Sequence, residues 1–506
     1  MSLPLVSALT LLPFAGGIVV LLLGRPAARV AALAFATAAV AYTLVLWSRF
    51  QPAAAGMQFE EVHPWEKAIG LGYHVGVDGL SLLMLAVSSI VVLMSVAASW
   101  SNEKQGPGYF SLLLFLETGL FGTYTALNFL HWFLYWELSL IPAFFLIRIW
   151  GGPGRARAAT QFFVYTMVGS ITLLLAFLAI FLASGSFDFI ELAGMAQSGQ
   201  LAAAIGHQWP SGQMAMVLFC GAFLGFAVKT PVVPFHGWLA SAYAEAAPET
   251  TMVLTGALSK MGVYGFLRIL LPIFPEQMVH ARNVLLWLAI ASIVLPAFTA
   301  WAQTDLKRTL AYSSINHLGY CMLGIFAVAA YSGVGRGMLS DKAAALTGVM
   351  LQLFSHGVTA AALFWLLALL ARRSGGGTGL NEFGGLRRAM PVFSGLMGIS
   401  LFASLGLPGL MGFPGEFFIF KGVFPLDWQA AALALPGLLM TAVFLLTMVE
   451  RVFSGPLPER WVAMADLSVA ERFMLAPAIV LMFAVGLDPQ LISGMLHSAV
   501  LSLVRY

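Results

Sequence analysis

The stretch GAFLGFAVKTPVVPFHGWLA, residues 221–240, decides how this chain folds. About 15 apolar residues lead up to Lys229, which is about 22 Å of helix at 1.5 Å per residue. In a bilayer core about 30 Å thick, the lysine therefore falls near the middle. Pro231 and Pro234 follow at once. Proline donates no backbone hydrogen bond, so the helix is interrupted at that depth. Freed carbonyls are tolerated there only against protein or water. A charge at mid-membrane costs about 2.5–3.5 kcal/mol on insertion scales. The stretch predicts a membrane helix broken beside a hydrated polar cavity. The bland alternative is a lysine snorkelling to an interface.

Composition agrees with a lipid-facing surface. Of 506 residues, 60% are hydrophobic and 9% charged, against the roughly 25% charge that covers a soluble protein. The formal charge of +3 and the lack of long basic runs speak against nucleic-acid binding. Cys220 and Cys321 stand far apart in apolar runs, so no cysteine spacing suits zinc or an iron–sulfur cluster. The N-terminal run has no basic region before it, which predicts a retained first helix rather than a cleaved signal.

Spans of about 20 apolar residues fall near 4–23, 28–48, 79–100, 109–127, 129–149, 161–184, 213–247, 251–271, 284–302, 308–329, 343–371, 391–424, 429–449 and 472–495. The fold class expected is all-α: a polytopic membrane protein of about 14 transmembrane helices. Spans 213–247 and 391–424 are too long for one helix and carry clustered Pro and Gly, so each is expected as two half-helices. With the N-terminus outside, the inner side holds 15 Lys and Arg, among them Arg25, Lys104, Arg155, Lys307, Arg372 and Arg451. The outer side holds 8: Arg49, Lys67, Arg268, Arg282, Arg336, Lys342, Lys421 and Arg505. That asymmetry follows the positive-inside rule. Asp78-Gly79 reads as a turn and cap opening the third span. The long outer segment 49–78 and the Gly-rich 372–388 carry no phosphate-binding signature.

Lys229 has company. Lys260 sits centrally in its span among Gly256, Ala257, Ser259 and Gly262, residues small enough for close helix packing. Glu137 lies in FLHWFLYWELSLIPAFFLI and is the natural counter-charge for Lys229, with a static ion pair as the alternative. His317 shares its span with Ser313, Ser314 and Asn316, and His356 is central to its own; either histidine also fits a plain structural role. His236 begins the second half-helix after the first break, and Glu117 adds a further apolar-embedded carboxylate. In the second broken span, LGLPGLMGFPGEFFIFKG, Pro408 and Pro414 precede Glu416, and Lys421 follows. The breaks at Pro231 and Pro408 are 177 residues apart, and Glu137 and His317 are 180 apart. One shared offset suggests two five-helix repeats, 109–271 and 284–453, flanked by 1–108 and 472–506. Five crossings is an odd number, so the copies would be inverted, each with its broken helix. No nucleophile–base pair or metal-ligand spacing stands out. A chain of Glu, Lys and His through a wet midplane suits protons.

YWELSLIPAFFLIRIWGG (135–152), FAVKTPVVPFHGWLASAYAEAAPETTMVLTGALSKMGVYGFLRI (226–269), DLKRTLAYSSINHLGY (305–320), FSHGVTAAALFWL (354–366) and GLPGLMGFPGEFFIFKG (406–422) resemble the antiporter-like membrane subunits of respiratory complex I, NADH:quinone oxidoreductase. The resemblance runs from about 76 to 455 and is weak over 1–75. Glu416, where related branches usually carry lysine, points to the M branch, the mitochondrial subunit 4 type. Gln161 and Pro414 depart from the family pattern without removing a site residue. The resemblance implies that Glu137 and Lys229 form a charge pair sensing the neighbouring subunit. It implies that Lys260 and His317 relay protons, that His356 lies beside that relay, and that Glu416 leads outward. It implies a non-redox proton-pumping subunit among other membrane-arm subunits, binding no cofactor and no metal itself, in a bacterial inner membrane. Two alternatives use the same fold: a subunit of a multisubunit Na+/H+ antiporter, and a membrane subunit of a hydrogenase- or ferredoxin-linked proton pump.

Overall fold

The computed structural model describes residues 4–66, 71–100, 102–331 and 338–504. Lys67, Arg336 and Arg505, counted above for orientation, lie outside these residues. The described chain is a helical bundle in which 11 helices are long and apolar enough to cross a membrane. Helix Pro107–Thr125 and two interrupted segments complete the expected set. The first interrupted segment is Met214–Lys229 followed by Leu239–Glu245, and the second is Pro391–Ser404 followed by Gly412–Leu426. The first break is longer than the sequence suggests: His236 stands inside it, and the second half-helix starts at Leu239.

Burial separates an axis from a shell. Over their most apolar stretches, Leu306–Ala330 and Leu339–Arg373 are 100% buried and Pro248–Ile273 is 94% buried, against 28% for Arg25–Arg49 and 22% for Val469–Leu487. The shell turns Leu134, Leu182, Trp287 and Leu439 outward, as a surface solvated by acyl chains requires. The axial helices carry the polar side chains, because only there do those groups find partners.

Three local features depart from uniform α-helix. Helix Phe129–Leu138 gives way to Leu140–Trp150 at Ser139, against which Gly119 packs so closely that a Cβ there would lie 2.8 Å from the Ser139 nitrogen. Helix Pro248–Ile273 contains two π-helical segments, Leu254–Leu258 and Phe266–Leu270. The span expected at 472–495 is two helices, Val469–Leu487 and Gln490–Leu503. Pro489 ends the first by offering no N–H, and Asp488 accepts from the Gln490 nitrogen at 3.1 Å. Apolar residues on both sides hid that stop.

The ends of the bundle are tied differently. The outer segment 49–78 contains an antiparallel hairpin, Gln58–Glu66 paired with Leu71–Val77, which hydropathy passed over as loop. Glu61 accepts from the backbone nitrogens of Val6 at 2.7 Å and Ser7 at 3.2 Å, filling free donors at the start of the first helix. His74 Nδ1 meets Asp188 Oδ2 at 2.5 Å, and Leu127 donates to the His74 carbonyl. Asp78 caps the third span in a capping box with Ser81, as expected, and also pairs with Arg268 at 2.5 Å. At the opposite end, residues assigned to the inner side meet one another: Arg29 reaches the Asn102 carbonyl, Arg372 pairs with Glu249, and Lys307 donates to the carbonyls of Ala244 and Ala246.

Candidate functional site: a buried chain of ionisable side chains

Lys229 is the last residue of its half-helix and is buried. Its Nζ donates to Ser139 Oγ at 3.2 Å and lies 4.6 Å from the centre of the Trp136 ring. The carbonyl end of a helix carries partial negative charge, so the break itself helps to hold the ammonium. Glu137, the expected partner, acts on Lys229 through space but makes no ion pair with it; Glu137 Oε1 is buried with no hydrogen-bond partner among the described residues. The hydroxyl at the Ser139 helix break takes the contact that the carboxylate was expected to make.

Lys260 is wholly buried. Its Nζ donates to the Thr255 carbonyl, inside the first π segment, and meets His356 Nδ1 at 2.7 Å. The His356 ring lies 5.1 Å, centre to centre, from the His317 ring. His317 Nδ1 is 3.3 Å from Glu416 Oε1, and its Nε2 is 3.1 Å from Ser404 Oγ. Four of the expected residues thus form a series, Lys260–His356–His317–Glu416, with every member buried. His356 stands within that series, between Lys260 and His317, rather than beside it.

Lys229 is not joined to this series by a hydrogen bond among the described residues. Its neighbour Thr230 packs against Gly262, where a Cβ would lie 2.7 Å from the Thr230 nitrogen. Helix contact is therefore close, but the polar link is interrupted. Glu117 is fully buried, and neither carboxylate oxygen has a partner among the described residues. Lys421 is exposed, its Nζ 5.3 Å from the centre of the Phe418 ring. Glu416 also reaches an apolar cleft of about 830 Å³ lined by Gly406, Phe413, Phe417 and Leu435. Gly406 has φ +78°, and a Cβ there would lie 2.5 Å from Glu416 Oε2.

Ser139, Trp136, Ser404 and Gln352 belong to the site and were not singled out from sequence. Gln352 Nε2 is 3.3 Å from His317 Nδ1 and 3.5 Å from Glu416 Oε1. A signal did exist: Gln352 precedes His356 by four residues, and that spacing shares a helix face. No group of three or more His, Cys, Asp or Glu side chains suited to a metal occurs among the described residues.

Interrupted helices that bring lysine, histidine and glutamate to a buried midline define a class of multi-pass membrane protein built to handle small cations. Within that class the chain belongs to the NADH:quinone oxidoreductase/Mrp antiporter transmembrane family, whose family model matches residues 126–443. It is 33% identical over 509 residues to NADH-quinone oxidoreductase subunit M of Rhodobacter capsulatus, covering 99% of this chain and 96% of that one. It is 34% identical over 500 residues to NAD(P)H-quinone oxidoreductase chain 4 2 of Thermosynechococcus vestitus, covering 96% and 89%. Among solved structures it resembles a chain of respiratory complex I from Thermus thermophilus with bound NADH, with a TM-score of 0.84, 28% identity and 99% of each chain covered. A chain of the Mrp complex from Dietzia sp. shares the fold, with a TM-score of 0.82 at 20% identity.

Proposed function

We propose that this chain is the M-type proton-translocating subunit in the membrane arm of an NADH:quinone oxidoreductase. The series Lys260–His356–His317–Glu416 carries the reading. Lys260 and His356 are in direct contact, as are His317 and Glu416, and the two rings lie 5.1 Å apart, a gap that one water can bridge; desolvation makes every stored charge responsive to its surroundings. Lys229, on the far side of the Gly262 contact, acts as the switch. A shift of Glu137 toward or away from it changes how firmly its proton is held, and so when Lys260 receives one. Glu416 passes the proton outward. The segments 109–271 and 284–453 serve as two half-units meeting at this series. Redox groups reside in partner subunits, a division supported by the two widely separated cysteines. The membrane is a bacterial inner membrane with the N-terminus outside, which the clustering of the expected inner-side basic residues at one end of the bundle supports.

The test is Lys229→Met in the assembled complex in proteoliposomes, with NADH oxidation and acidification recorded together. The expected result is oxidation with proton transport per NADH reduced. Unchanged transport per NADH rules the switch out.

A further inference from the structure

Gln352 is placed where no proton carrier is needed and a carboxamide has a specific effect. It lies in the fully buried stretch of helix Leu339–Arg373, one turn before His356. Gly415 on the opposing helix lets the two backbones close over it: a Cβ there would lie 2.6 Å from Gln352 Oε1 and 2.8 Å from its nitrogen. Ser355 Oγ lies 3.3 Å from the Gln352 backbone carbonyl and 3.5 Å from Gln352 Oε1. The Glu416 carboxylate, which only accepts when ionised, draws the NH2 group toward the relay, where it sits between His317 Nδ1 and Glu416 Oε1. An amide NH2 donates and never accepts.

We propose that Gln352 is a positioning residue that closes the His317–Glu416 step at rest by fixing the tautomer of His317. When the amide donates to Nδ1, that nitrogen holds a lone pair, and the ring proton sits on Nε2, facing Ser404 Oγ. No proton then faces Glu416, although Nδ1 and Oε1 are 3.3 Å apart. When protonated His356 gives up an N–H proton across the 5.1 Å between the ring centres, His317 takes it on the Nδ1 lone pair, and both ring nitrogens become donors. Two donors cannot face each other, so the amide gives up Nδ1 and keeps only its contact with Glu416 Oε1. The Nδ1–H bond then breaks as a new O–H bond forms on the Glu416 carboxylate. His317 returns to one proton, and the amide engages Nδ1 again. The step is open only while the relay is loaded, so an idle complex conducts few protons in either direction.

This inference rests on the relay reading above, and its test separates the two. Passive proton flux is measured in proteoliposomes of the assembled complex without NADH, comparing Gln352→Met with the parent. Gln352→Met keeps volume and removes the donor. Idle flux is expected to rise about two- to tenfold, the rate equivalent of one neutral hydrogen bond. The second variant, Gln352→Glu, adds a proton-accepting bridge and is expected to raise idle flux further. The 15N spectrum of labelled histidine in the parent is expected to show His317 protonated on Nε2, and the spectrum of Gln352→Met a mixture. Idle flux unchanged in both variants, or a resting His317 protonated on Nδ1, overturns the gate. If Lys260→Met and Glu416→Gln also leave NADH-driven transport intact, the relay itself falls; if they abolish it, the gate alone falls.

Discussion

The two broken helices solve one problem in opposite ways. In the first, the ionisable residue is the terminal residue of the leading piece: Lys229 at the carbonyl end of Met214–Lys229. In the second, it is the fifth residue of the trailing piece: Glu416, near the amide end of Gly412–Leu426. A helix dipole favours a cation at one end and an anion at the other, so each break carries the sign its geometry suits. The wiring differs as well. Lys229 meets a hydroxyl and a ring and stands apart. Glu416 closes a series of four side chains and answers to an amide. A break thus supplies a place for a charge, while its neighbours decide whether that charge stands apart or joins a series.

Four experiments bear on that contrast. The largest effect belongs to the series. Lys260→Met is expected to cut NADH-driven proton transport about 10²-fold or more, the scale of removing a positioned proton-transfer group; acidification traces check it. Gly406→Ala strains a φ of +78° and drives a methyl toward Glu416. Such strain costs about 1–3 kcal/mol, and a matching drop in the thermal stability of the detergent-solubilised complex is expected with reduced transport. Ser139→Ala removes the hydroxyl contact of Lys229. About 1 kcal/mol corresponds to roughly fivefold in transport per NADH; no change would show that Trp136 and Glu137 suffice, and would erase the distinction between the breaks.

The smallest effect lies outside the membrane, where His74 ties the outer hairpin to Asp188. The Asp188 hydrogen bond raises the His74 pKa above its ordinary 6.5, with burial opposing. Burial pushes Asp188 upward, but His74 and the Glu191 and Ile190 amides outweigh it and hold its carboxyl below its ordinary 3.8. A raised histidine stabilises fully below 6.5, and that contribution fades as pH rises through its folded value. A lowered carboxylate stabilises above 3.8 and fades as pH falls through its folded value. The clasp is therefore tightest between those limits. Hydrogen exchange of Leu71–Val77, corrected for intrinsic pH dependence, should quicken as pH rises above that window, and His74→Phe should flatten the profile. The pair is partly exposed, so about 0.5 kcal/mol is expected.

What could be read from sequence was what violates the bilayer. Lys229 with Pro231, and Glu416 after Pro408, stand out because a charge and a broken helix are both costly in oil. The 177 residues between Pro231 and Pro408, close to the 180 between Glu137 and His317, suggested a repeat. Gln352 violates nothing: one amide in an axial helix has no signature until Glu416 and His317 are placed around it. The Lys229–Glu137 pairing was reasonable from charge alone, yet charge says nothing of the interruption at Ser139 that turns a hydroxyl inward. The hairpin was lost among stronger apolar signals, and Pro489 was lost inside one.

The π segment Leu254–Leu258 has a consequence for evolution as much as for structure. A wider turn spends one extra residue without advancing the periodicity of the strip it interrupts. Delete one residue from a regular α-helical turn, and at 3.6 residues per turn the azimuth of everything downstream rotates by about 100°. Delete one from this segment, and the wide turn can relax to an α-helical one with the downstream face kept. Lys260, which begins the helix just beyond it, would then still face His356, so the segment works as a slack turn between two otherwise regular helices.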